Sequence, residues 1–84
     1  MQCILQHNTT KFKRYYPYLD VNTDNVMYFE IVIDTRDFED GEYTIQLFTD
    51  DNVMVGEDII KLGEYKNNKQ QYKIEKKYTQ YARK

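Results

Sequence analysis

Eighty-four residues suffice for one small domain and leave no room for a second core, since chains divide into units of roughly 100–200 residues. At 40% hydrophobic, 15% aromatic and 31% charged the chain is too apolar for a disordered polymer, and it carries no run near the ~18 apolar residues of a membrane span. The single cysteine, Cys3, excludes an internal disulfide scaffold and points to a reducing compartment, and Ile4-Leu5 followed at once by Gln6, His7 and Asn8 lacks the apolar stretch of a secretory signal.

Strand-type residues dominate, and residues 1–6 open the chain as a short strand. Asn8, Thr9 and Thr10 form a turn, residues 12–18 a second strand closed by Pro17, and residues 20–25 a polar connection. Over residues 27–34 the chain alternates, with Met27, Phe29, Ile31 and Ile33 as the core face and Tyr28, Glu30, Val32 and Asp34 opposite. Residues 37–41, Phe38 among them, form a turn-rich stretch in which Asp40-Gly41 supplies the flexible backbone of a reversal, and residues 42–49 follow as a strand with Tyr43, Ile45 and Leu47 facing one way. Asp50, Asp51 and Asn52 suit a hairpin turn, after which residues 53–62 return antiparallel. Gly56 marks a bulge in that return, Ile59, Ile60 and Leu62 resume the apolar contribution, and Gly63 ends it. Residues 66–71 read as a loop, and Tyr72, Ile74 and Tyr78 begin a last, edge-like strand whose other face carries Lys73, Glu75 and Lys77.

These elements predict an all-β protein, a small antiparallel sandwich or open barrel of immunoglobulin-like character with extended terminal segments. Residues 1–26 form an arm or short strands packing on the core, and residues 27–84 form the core with a basic, tyrosine-rich end.

Catalytic chemistry finds little support. Cys3 and His7 are the only thiol–imidazole combination, and on a strand they stand ~13 Å apart, too far for a nucleophile and its base. Asp20, Asn22 and Asp24 reproduce the opening of a calcium loop, but Asn25 replaces its glycine and Ile31 its closing glutamate, so a solvated connector is the better reading. The three glycines stand singly, which rules out a phosphate loop. No cofactor, metal, small-molecule substrate or membrane role is expected.

The net charge of −2 conceals a segregation: +3 over residues 1–19, −11 over 20–64 and +6 over 65–84. Such a pattern either neutralises itself on one surface or offers opposite patches to neighbouring copies or partners. Residues 66–84 mix lysines with Tyr72, Tyr78 and Tyr81, a composition that could serve nucleic acid, although the acidic centre and the scarcity of arginine argue against it. The nine tyrosines are more telling, because a rigid apolar ring with a polar tip suits protein interfaces as well as the rims of small cores. Tyr15, Tyr16, Tyr18, Tyr78 and Tyr81, with Lys73 and Lys77, are the expected contact residues.

The succession from Phe38 through Asp40-Gly41-Glu42-Tyr43 to Phe48, then Ile59-Ile60-Lys61-Leu62-Gly63-Glu64-Tyr65, then Tyr78-Thr79-Gln80-Tyr81, resembles a group of small virion proteins of tailed phages infecting gut Bacteroidales, including the crAss-like group. The likeness covers roughly residues 28–81 and departs from the pattern at Asp58, where those proteins usually carry glycine. It implies a non-enzymatic, multi-copy part of the particle: a capsid auxiliary or decoration protein, or a piece of the head fibre or head-to-tail region. It would be made in the bacterial cytoplasm and meet other virion proteins.

Overall fold

The structure, a computed structural model, describes residues 1–63 and 70–77, and every described element is a strand. In chain order they are β1 (Gln2–His7), β2 (Lys13–Tyr16), β3 (Val21–Asn22), β4 (Tyr28–Ile33), β5 (Gly41–Phe48), β6 (Met54–Leu62) and β7 (Gln70–Glu75). They form two antiparallel sheets, one ordered β2-β1-β5-β6 and one ordered β3-β4-β7.

The alternation seen in the sequence decides what lies between the sheets. Cys3, Leu5 and His7 of β1, Tyr43, Ile45 and Leu47 of β5, and Ile60 and Leu62 of β6 face Phe29, Ile31 and Ile33 of β4 and Ile74 of β7, all buried. Burying these side chains, at about 1.5–3 kcal/mol each, is the main force holding two small sheets together. Residues 1–7 are therefore not peripheral: β1 is hydrogen-bonded on both sides, pairing Leu5 with Arg14 of β2 and with Ile45 of β5.

Two αL residues shape the hairpins. After β5, the amide of Asn52 donates to the Thr49 carbonyl at 2.9 Å and that of Thr49 to the Val53 carbonyl at 2.9 Å, with Asn52 at φ 68°. This is the three-residue loop that Asp-Asp-Asn favours, since Asn tolerates αL. Between β1 and β2, Lys11 occupies the same region at φ 68°.

The predicted bulge lies beside Gly56. Leu47 pairs with Gly56 but Phe48 with Met54, so Val55 is the extra residue. A Cβ on Gly56 would lie 2.9 Å from a Phe29 ring carbon and 3.3 Å from the Glu75 carbonyl oxygen, so glycine lets β6 approach the other sheet. There the sheets are stitched together. Gly56 bridges to Lys76, the amide of Lys77 donates to the Val55 carbonyl at 2.7 Å, and that of Glu75 donates to the Asp58 carboxylate at 3.2 Å. Asp58 thus accepts a main-chain donor at the seam.

Several expectations need correction. Met27 is 63% exposed, because the chain enters β4 only at Tyr28, and Asn25 holds the approach by accepting from the amides of Met27 and Tyr28. Ile59 points outward at 57% exposure, since strand alternation allows only Ile60 and Leu62 inward. Part of the connection over residues 20–25 is the short strand β3. Phe38, assigned to a turn, is buried and plugs one end of the core. Its ring lies 5.7 Å from that of Tyr43 and 6.2 Å from that of Phe12, with the Arg14 guanidinium 4.9 Å above it.

Candidate protein interface

The stitched β6–β7 side leaves the opposite side of the molecule open, and the chain itself explains why. β2 ends at Tyr16; Leu19 then exchanges main-chain hydrogen bonds with Met1 of the larger sheet, while Val21 pairs with Ile31 of the smaller one. The chain changes sheets at Asp20. β3 covers only Glu30 and Ile31 of β4, so Val32 and Ile33 have no β3 partner.

Two features occupy this side. The first is the outer edge of β2, along which no described strand pairs. Because the His7 amide donates to the Phe12 carbonyl at 2.8 Å, the alternating antiparallel pattern turns the main-chain groups of Arg14 and Tyr16 toward β1 and those of Lys13 and Tyr15 outward. The second is a groove lined by Tyr18, Leu19, Asp20, Val21, Asn22, Glu30, Val32 and Asp34, apolar at Leu19, Val21 and half-exposed Val32, with three carboxylates and no cationic lining residue. Asp34 is held by Arg36 at 2.6 Å, and Glu30 Oε1 accepts from Asn22 Nδ2 at 3.4 Å.

The expected contact residues separate into distinct environments. Tyr15 is 54% and Tyr18 92% exposed, and with Pro17, Gln2, Asp50 and Asn52 they border one hollow, so the structure brings these two rings together. Tyr15 is oriented by its hydroxyl, which donates to Gln2 Oε1, while Gln2 Nε2 donates to Thr49 O and Asn52 Oδ1, each at 2.8 Å. Tyr16 faces the other way: opposite Cys3, it packs on the core, and burial raises the pKa of its hydroxyl. It is a core-rim residue, removed from the expected contact set by strand alternation. Lys73 is exposed on β7 of the smaller sheet, and Lys77 pairs with Glu75 at 3.4 Å. Lys76 donates to the Thr23 carbonyl at 3.0 Å and lies 5.0 Å above the Phe29 ring. The described lysines of the basic end are thus largely engaged within the fold. Tyr78 and Tyr81 lie outside the described residues.

Of the structural positions, Gly41 is required on two counts. Its φ is 139°, and a Cβ there would stand 2.5 Å from His7 Nε2. That nitrogen donates to the Asp40 carbonyl at 3.1 Å, and Nδ1 accepts from the amides of Thr9 and Thr10, each at 3.1 Å. His7 is therefore a buried clamp in the Nε2–H tautomer, not a surface imidazole, and it ties the β1–β2 turn to the start of β5. Gly63, expected to free the backbone, has no positive φ, and a side-chain carbon placed on it would meet nothing within 4 Å. Asn22 Oδ1 accepts from the Asp24 main-chain amide at 2.9 Å.

The groove residues were missed by sequence reasoning. A signal existed in the co-occurrence of outward-facing Glu30, Val32 and Asp34 on a strand preceded by an acidic connector; locating the groove required knowing where the chain switches sheets. Comparisons of the chain with protein-family models, with curated proteins and with solved structures give no match.

Proposed function

We propose that this chain is a non-enzymatic structural component of a phage particle, a capsid auxiliary or decoration protein or a part of the head fibre or head-to-tail region, working through protein–protein contacts in many copies. The observation that carries the contact role is the open side of the sandwich, where the β2 edge, which no described strand pairs, runs beside the exposed rings of Tyr15 and Tyr18. The particle setting rests on the resemblance of residues 38–48, 59–65 and 78–81.

The mechanism follows from the edge. A neighbouring subunit's extended segment adds to β2 through the outward main-chain groups of Lys13 and Tyr15, and the two rings and Pro17 are buried by the same contact. Tyrosine is a frequent hot-spot residue because its ring buries much area at little entropic cost. Display over a symmetric shell then multiplies a weak single contact into stable attachment.

Mass spectrometry of purified particles is expected to find the protein in many copies, and Tyr15→Ser with Tyr18→Ser to reduce incorporation about tenfold or more. Detection only in the infected-cell lysate rejects the particle role. A nucleic-acid accessory role is tested by filter binding, where retention at low salt that falls steeply as salt rises would favour it over the contact role. The internal engagement of Lys76 and Lys77 favours no retention.

A further inference from the structure

Deepening that contact role, we infer that the groove at the sheet switch takes residues 78–84 of a second copy of this chain, joining copies head to tail. Three observations converge. The groove is lined by Asp20, Glu30 and Asp34, the last paired with Arg36, with no cation among its lining residues, and its floor is apolar at Leu19, Val21 and Val32 with the Tyr18 ring standing exposed beside it. The segment 78–84 carries the complementary chemistry: Tyr78 and Tyr81 for the apolar floor, Arg83 and Lys84 for the carboxylates, and no acid. The groove also borders Val32 and Ile33, the part of β4 that β3 leaves uncovered, so an incoming extended segment meets main-chain groups as well as side chains.

Chain reach favours a second copy over the same one. Lys77 leaves the fold on the β6 side of β7, bonded to Val55, whereas the groove lies across β4, beside β3, and at the other end of β4. Two strand spacings of about 4.8 Å and the six residues between Lys77 and Gln71, the partner of Val32, at about 3.3 Å each put the groove some 22 Å from that exit. Seven residues span at most about 25 Å, so a copy's own segment would use about six of them on the way and bring only Lys84 to the groove. A neighbour's segment brings its tyrosines too. Groove and segment are different surfaces, so the contact is heterologous and propagates into rings or filaments.

Sedimentation velocity on the full-length chain tests this with two variants. Asp20→Lys with Val32→Lys alters the groove at exposed positions, and Arg83→Glu with Lys84→Glu alters the segment. Wild type is expected to grow past dimer with concentration, and its association to weaken at least about tenfold from 0.05 to 0.5 M salt. Each variant alone stays monomeric. An equimolar mixture forms a complex that stops at two, because the groove variant lends its intact segment to the segment variant's intact groove. Circular dichroism and thermal midpoints matching wild type establish that both variants fold, and the milder Asp20→Asn replaces the first should it not. A monomeric wild type, variants that assemble like wild type, or a mixture that stays monomeric each overturn the inference. Loss of self-association with particle incorporation intact removes this contact alone; absence from particles with self-association intact removes the virion role alone.

Discussion

Cys3 shows how completely one side chain can be withdrawn from chemistry. It lies with no exposed surface between the sheets, and burial pushes its thiol pKa up from 9.0 to about 12. Thiol reagents act on the thiolate, so labelling of native protein at pH 8 is expected to proceed only as fast as global unfolding, and at once in denaturant. The same shift makes stability fall with alkali. The unfolded thiol ionises near pH 9 while the folded one resists to about 12, so stability is whole below pH 9 and declines above it by up to about 1.4 kcal/mol per pH unit. Tyr16 and Tyr43, whose hydroxyls are also shifted up by burial, add to the decline above pH 10. Urea titrations of wild type and Cys3→Ala between pH 8 and 10 check this, the variant being less stable by about 1 kcal/mol at pH 8 but flatter. Gly41→Ala is expected to lose about 2 kcal/mol or more, since it combines a left-handed φ with a contact on the His7 ring; Gly63→Ala, in open space, stays within about 0.5 kcal/mol of wild type. Only the first glycine's need was legible from sequence, as a turn. Its packing against His7 joins two elements far apart in the chain, which no local pattern reveals.

The edge of β2 gives the elements their clearest contrast. Amide hydrogen exchange is expected to be fast at Lys13 and Tyr15 and slow at Arg14 and Tyr16, and partner binding to β2 should reverse the first pair alone. Equal protection along β2 would contradict the strand-addition mechanism. Strand faces were the most readable part of the molecule: period-two alternation in β4 and β5 identified Phe29, Ile31, Ile33, Tyr43, Ile45 and Leu47 as core, because a one-residue slip would expose the whole set. β3 was not legible, since two residues are too few to alternate and pairing comes entirely from β4. Phe38 was hidden for a related reason: the turn chemistry around it was real, and its burial depends on Tyr43, Phe12 and Arg14 closing over it from elsewhere in the chain.

For the molecule as a whole, charge segregation along the chain becomes geometry. The acidic middle contributes the groove carboxylates, and the strand carrying part of the basic end lies in the same small sheet, paired with β4, whose Glu30 and Val32 line that groove. Glu30 stands opposite Lys73, so part of the imbalance is cancelled across β4 and β7, while Arg83 and Lys84 carry further positive charge beyond Lys77. Both uses of the segregated pattern therefore coexist within one fold, the first internally and the second as the proposed contact between copies.

The central place of β1 also governs how the chain comes into being. Its Gln2–His7 backbone is synthesised before its partners, so one flank stays bare until residues 43–48 have been made, and β4 waits in the same way for residues 70–75. No nascent fragment short of β7 holds both sheets complete, so the fold closes only once residue 75 has been made, through distant pairings that fold on the slow millisecond-to-second scale. In the interval the ribosome-bound hairpin displays an apolar ribbon that molecular chaperones are built to shield.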